Sequence, residues 1–113
     1  MRRPADPLAA ASPECRVLYN ELLQAVSRVG PFREEIKKTT IHLVRKSAFV
    51  GVHFRKHHLI VTIKSSEPIS CSRVFKTLRA SPNRLYLDIR LTAAGDIDAE
   101  LLRWVGESYQ LSA

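Results

Sequence analysis

Cysteine and glycine are scarce in this chain, and long apolar runs are missing altogether. Its 113 residues hold two cysteines, Cys15 and Cys71, and four glycines. Two cysteines so far apart are no disulfide framework, and Cys15, among the apolar positions of a predicted helix, reads as a buried, reduced thiol. Four scattered glycines cannot build the glycine-rich loop that cradles phosphates. No Ser/His/Asp or Cys/His pairing has a recognisable local context. No stretch approaches the ~20 apolar residues that cross a bilayer, so no membrane partner is expected. The basic start, Met1-Arg2-Arg3, runs into PADPLAAASPE, whose prolines break any apolar core of a secretory signal. The expected location is cytoplasmic.

What is present is positive charge. Eighteen Lys and Arg face eleven Asp and Glu, a formal charge of +7. That balance favours anionic partners: nucleic acid, an anionic membrane surface or an acidic protein. The plain alternative is a basic surface that only keeps the protein in solution. All four histidines and six of the eighteen basic residues lie between Lys37 and His58, in KKTTIHLVRKSAFVGVHFRKHH. Length fits one domain, and 45% hydrophobic residues suffice for a core without staples.

The pattern along the chain gives the fold class. Residues 1–12, rich in Pro and Ala, read as a disordered tail, leaving 13–113 as a single domain. Ser12 caps a helix with Pro13 at its first position and Glu14 at the positive end of its dipole. Cys15, Leu18, Leu22, Val26 and Val29 recur on one helical face, and Gly30-Pro31 ends it. The period then changes to two. Arg33 to Lys37 reads as a short edge strand. Ile41 and Leu43 share a face, as do Ala48, Val50, Val52 and Phe54, then Leu59, Val61 and Ile63. The tight links between them suit antiparallel hairpins and are too short for parallel crossovers. Arg73 to Arg79 reads as one or two helical turns with Val74, Phe75 and Leu78 apolar. Leu85, Leu87, Ile89 and Leu91 alternate inward against Tyr86, Asp88 and Arg90. Asp96 or Asp98 caps a last helix with Ile97, Leu101, Leu102, Val105 and Tyr109 on one face. The prediction is an α+β domain: one antiparallel sheet, a meander, with the N- and C-terminal helices packed on one face.

The blocks KKTTIHLVRKSAFVGVHFRKHHL and SPNRLYLDIRLTAAGDIDAELLRWVGESYQ resemble a bacterial domain of unknown function family, the one numbered fifty-six fifty-five and often labelled "predicted transport protein". The matching features are Lys37-Lys38-Thr39, Phe49-Val50-Gly51-Val52, Arg55-Lys56, and Arg90-Leu91-Thr92 through Asp96 to Tyr109. Thr40 stands where the family usually has an aromatic or aliphatic residue. The resemblance spans roughly residues 15–110. Members often sit beside other small or nuclease-like domains, which implies an accessory binding role. The ending D…ELLxxxxxSY is also similar to the MmcQ/YjbR-like proteins, which implies a compact α+β fold and DNA binding. Neither resemblance supplies catalytic residues.

Three constellations carry chemistry. If the apolar sets face the helices, the other sheet face holds Thr40, His42, Phe49, His53, Thr62, Tyr86 and Arg90. Rings interleaved with cations suit a single strand, whose bases stack while Lys and Arg hold phosphates. Val44 and Ile60 lie on that face too, so a further element or a second subunit could cover it instead. The histidines His42, His53, His57 and His58 are close in sequence, but neighbours such as His57-His58 diverge, and zinc needs three or four converging ligands. Glu35-Ile36-Lys37 matches half of a nuclease-like metal site and requires a second acid, with Glu21, Glu34 and Asp88 available.

The reading is therefore a binding module without catalytic residues, metal or cofactor. Its expected partner is nucleic acid or another polyanion. The residues assigned are Lys37, Lys38, Arg45, Lys46, Arg55, Lys56 and Arg90 for charge, with Phe49, His53 and Tyr86 for stacking. The alternative from another class is a protein-interaction or homodimer module whose outer sheet face is the interface. A metal-dependent, nuclease-like hydrolase stands third.

Overall fold

The computed structural model describes residues 7–113. Residues 1–6 of the expected tail lie outside them, while Pro7–Ala10 form a helical turn, α1, whose Leu8 packs against the core. Helix α2 spans Pro13–Val26, followed by strands β1 (Arg33–Ile36), β2 (Thr40–Val44), β3 (Ala48–Phe54), β4 (Leu59–Ser65), β5 (Val74–Ser81) and β6 (Arg84–Leu91). A 3-10 turn at Ala94–Asp96 leads into α3, Ala99–Gln110. All strands pair antiparallel in one six-stranded sheet of order β1-β2-β3-β4-β6-β5. The first four follow one another as a meander. The chain then skips a place, lays β5 at the edge, and returns β6 between β4 and β5.

Both long helices cover the same face, α3 across β3 and β4, and α2 against β4 and α3. Their caps are the ones the sequence predicts. The Ser12 hydroxyl accepts from the Cys15 amide (3.3 Å) and the Asp98 carboxylate from that of Leu101 (3.0 Å), each satisfying an amide the first helical turn leaves unpaired. Leu18, Leu22 and Val26 of α2 and Leu101 and Val105 of α3 meet Ile41, Leu43, Val52, Val61, Ile63, Leu87 and Ile89 of the sheet. Tyr19 and Trp104 join this core as well, Tyr19 donating to the Glu34 carboxylate at 2.6 Å and stacking obliquely on Phe54. The Cys15 thiol is buried and points at the carbonyls of Arg55, Lys56 and His58, pinning the β3–β4 turn onto α2.

The ring of Tyr109 crosses the chain at Gly30, where an added Cβ would lie 2.5 Å from the phenol oxygen. Only glycine leaves that space, and the phenol donates to the Pro31 carbonyl at 2.7 Å. Gly30 thus serves the docking of α3, while α2 ends earlier than the expected Gly30-Pro31 stop, at Val26 with Ser27 as its C-cap.

Two expectations are overturned. Residues 73–79 are not helical but enter β5, an edge strand exposed along nearly its whole length. Val74, Phe75 and Leu78 mimic helical spacing because β5 is bulged twice, between Val74 and Lys76 and between Arg79 and Ser81. Arg73 anchors its start, donating to Asp98, Glu100 and the Asp96 carbonyl at the head of α3. The second correction concerns Phe49. Leu43 pairs with Val50 and Val44 with Ala48, so Phe49 is the extra residue of a β-bulge. A bulge sets two residues against one, and both face the same side. Phe49 therefore joins Val50 in the core, 1% exposed, edge-on to Phe32 and Tyr109, and Ala48 takes its place on the outer face.

Candidate functional site

Among the described residues no helix covers the second face of the sheet. Alternation from the buried sets assigns to it His42 of β2, Ala48, Gly51 and His53 of β3, Ile60, Thr62 and Lys64 of β4, and Tyr86, Asp88 and Arg90 of β6. At its centre the missing side chain of Gly51 leaves a shallow groove of roughly 160 Å³, flanked by His42, His53, Thr62, Lys64 and Tyr86. A Cβ at Gly51 would sit in ordinary contact with His42 and Thr62, 3.7 Å from each.

Antiparallel pairing sorts the basic residues to two ends of this face. The β1–β2 turn, with Lys37 and Lys38, opens at the same end as the β3–β4 turn, with Arg55 and Lys56, because Thr40 is paired with His53. All four are exposed. Lys37 also pairs with Glu35 at 3.4 Å. Arg90 lies toward this end, opposite Ile60, and its guanidinium sits 5.1 Å from the ring of Phe75 on β5. At the opposite end lie Arg45, Lys46, Lys64 and Arg84. Lys46 is exposed. Arg45 is committed elsewhere: it stacks 4.2 Å over the Tyr109 ring and donates to the Tyr109 carbonyl at 3.1 Å. It docks α3 and is not an open phosphate contact.

Of the ring groups expected to stack, Tyr86 and His53 are half-buried beside the groove and Phe49 is in the core. Sequence reasoning missed Phe75, Lys64 and Arg84. Phe75 was hidden by the bulges of β5, whereas Lys64 was visible as the one charge on the outward set Ile60, Thr62, Lys64. Thr62 donates to Asp88 at 2.6 Å, so one of the two acids that the described strands turn outward is already engaged. The other, Glu35, is held below the usual carboxylate range by hydrogen bonds from Arg33 and then Lys37.

Burial, and then the charge of Arg55, push the His53 imidazole below its ordinary value near 6.5, with Asp88 opposing. His58 is lowered too, by burial and then by Arg90, Arg55 and His57. At neutral pH both are uncharged rings, suited to stacking rather than to ion pairing with phosphate. A group whose folded pKa is depressed gives stability that is present above its unfolded value and lost as pH falls through the folded one. The melting temperature should therefore drop as pH is lowered from about 7.5 to 5, around the ordinary imidazole value. His53→Gln should flatten part of that drop, and an unchanged pH profile would show that His53 titrates normally.

The remaining constellations do not assemble. His57 pairs with Glu14 at 2.9 Å on the α2 side, while His42 and His53 face outward. Among the described residues no three His, Cys, Asp or Glu converge as metal ligands. In Glu35-Ile36-Lys37 the acid binds Arg33 and Lys37, Glu34 turns to Tyr19, and Asp88 lies three strands beyond β2. These carboxylates do not meet, as metal-assisted hydrolysis requires.

Among the described residues no helix is long and apolar enough to cross a membrane. Neither a curated protein nor a solved structure matches the chain. A family model does, that of a domain of unknown function, DUF5655, over residues 5–112. With that match running through both long helices and all six strands, the chain belongs to the DUF5655 family.

Proposed function

We propose that this domain binds nucleic acid, as a single strand laid across the outer face of its sheet. The observation that carries the reading is the placement of charge around that face. Lys37, Lys38, Arg55 and Lys56 stand exposed at one end and Lys46 at the other, with Tyr86 and the uncharged ring of His53 between them. Strand β4, seven residues long, runs the length of the face and spans roughly 23 Å. That is room for several phosphates. Cations hold the backbone and rings give bases a surface to stack on, the division of labour found where single strands bind without sequence preference.

Binding of a labelled single-stranded oligonucleotide, followed by fluorescence anisotropy, tests the idea. Affinity should be measurable at low ionic strength and fall steeply with added salt, because each phosphate neutralised releases counterions. No binding to single- or double-stranded oligonucleotides at low salt would overturn it.

One observation favours a second reading, a homodimer or adaptor. Phe75 and Leu78 on edge strand β5 are 46% and 58% exposed, and Leu78 is paired with Tyr86 on the outer side. Large exposed apolar groups on an open strand edge suit pairing with another chain. A solution mass of twice the chain, lost on Leu78→Lys, together with no oligonucleotide binding, would put this reading first.

A further inference from the structure

At the Lys46 end the outer face holds two cations that lack counter-ions among the described residues. Lys64, on β4, is only 8% exposed. Its ammonium donates to the hydroxyls of Ser47 (2.8 Å) and Ser112 (2.9 Å). An ammonium has three donors, so one is left over. Arg84 begins β6. Lys64 is paired with Tyr86 and Ser65 with Leu85, which sets Arg84 on the same face, diagonal to Lys64. Such diagonal neighbours lie about 7–8 Å apart. The side chain of Arg84 makes no hydrogen bond or ion pair among the described residues, and its Nε is buried without a partner.

This arrangement is costly. A buried charge held by hydroxyls alone, with no counter-ion, and a buried N–H without an acceptor both lose hydration that is only partly restored. Two like charges on one face add repulsion: burial, and then the charge of Arg84, lower the Lys64 pKa. The acids that face outward are engaged elsewhere, Asp88 with Thr62 and Glu35 with Arg33 and Lys37. An oxyanion would relieve every one of these defects. The planar fork of Arg84 and the spare proton of Lys64 match the oxygens of a phosphate.

The geometry points to a phosphate-monoester site formed by Lys64 and Arg84, with the Tyr86 side of the groove receiving the group that carries the phosphate. The proposal deepens the nucleic-acid reading by placing a strand's terminal phosphate at this end, and it also stands for a free phosphate. A terminal monoester carries more negative charge than the diesters within a strand. A site with two unneutralised cations therefore selects for ends.

Two measurements test it. Inorganic phosphate, titrated against chloride at matched ionic strength, should shift the Arg84 Nε–H resonance in the wild-type protein. No shift overturns the site, whether or not oligonucleotides bind elsewhere. The second compares one oligonucleotide with and without a 5′-phosphate. A preference of roughly tenfold, the size of one charge-assisted hydrogen bond, is expected for the phosphorylated strand. Arg84→Met should abolish it, so that the two strands bind equally. Lys64→Met, which removes a buried charge and keeps the volume, should do the same. Equal affinity for both strands with the resonance shift intact assigns the site to a free phosphate. If the hydroxyl strand fails to bind while the shift persists, the nucleic-acid face falls and the phosphate site remains.

Discussion

Phe49→Ala should destabilise the domain by about 3–5 kcal/mol, the usual cost of emptying a buried aromatic position. That is a large share of the ~5–15 kcal/mol that holds a domain folded. The ring is 1% exposed and is wedged between Phe32 and Tyr109, whose centroids are 5.9 and 4.9 Å away. Two edge-to-face contacts are lost with it, and the docking of α3 through Tyr109 loosens. Thermal or denaturant unfolding checks this, with Phe49→Leu recovering much of the loss. Below the melting transition, oligonucleotide affinity should not change. A variant of near wild-type stability with reduced binding would return Phe49 to the outer face and contradict the bulge.

The second large effect concerns charge. Replacing Lys37, Lys38, Arg55 and Lys56 together by Gln should weaken oligonucleotide binding and flatten its dependence on salt. Each lost single-strand phosphate contact removes about 0.7 from the slope of log K against log salt, so four remove up to ~2.8. Arg45→Gln serves as the contrast, because its guanidinium is spent on Tyr109. It should cost stability and leave the slope alone. Tyr86→Ala should lower affinity by about 1–3 kcal/mol at an unchanged slope, as a lost stacking contact does. If the quadruple variant keeps the wild-type slope, the exposed turns do not touch phosphate and the binding face lies elsewhere.

Local patterns made much of this fold legible. Strict alternation in 85–91 and 59–63, helical spacing with capping side chains at Ser12 and Asp98, and short links between strands left few other arrangements. The misreadings share a cause: irregular strands. A bulge inserts one residue, and everything before it changes face relative to everything after. Nothing in SAFVG marks Phe49 as that residue, since the register shift lies across the ladder between Leu43 and Val44. Edge strand β5 buries neither face well, so no period records it. The candidate site was half legible. Exposed turn residues such as Lys38 and Lys56 are bound to be where turns put them. The isolation of Lys64 and Arg84 depends on which acids are already engaged, and only the assembled sheet reveals that.

The bulge also bears on the order in which the molecule can be completed. At Phe49 the ladder is interrupted, and the gap is closed by a helix: the Ser108 hydroxyl donates to the Phe49 carbonyl at 2.6 Å and accepts from the Lys64 amide at 2.8 Å. Four residues on, Ser112 reaches the Ala48 carbonyl and the Lys64 ammonium. A ribosome releases β3 and β4 well before either serine, at some 5–20 residues per second. For those seconds the two central strands carry an unfilled backbone acceptor, an unfilled amide and an exposed aromatic ring. Arrival of α3 is therefore what completes the two central strands.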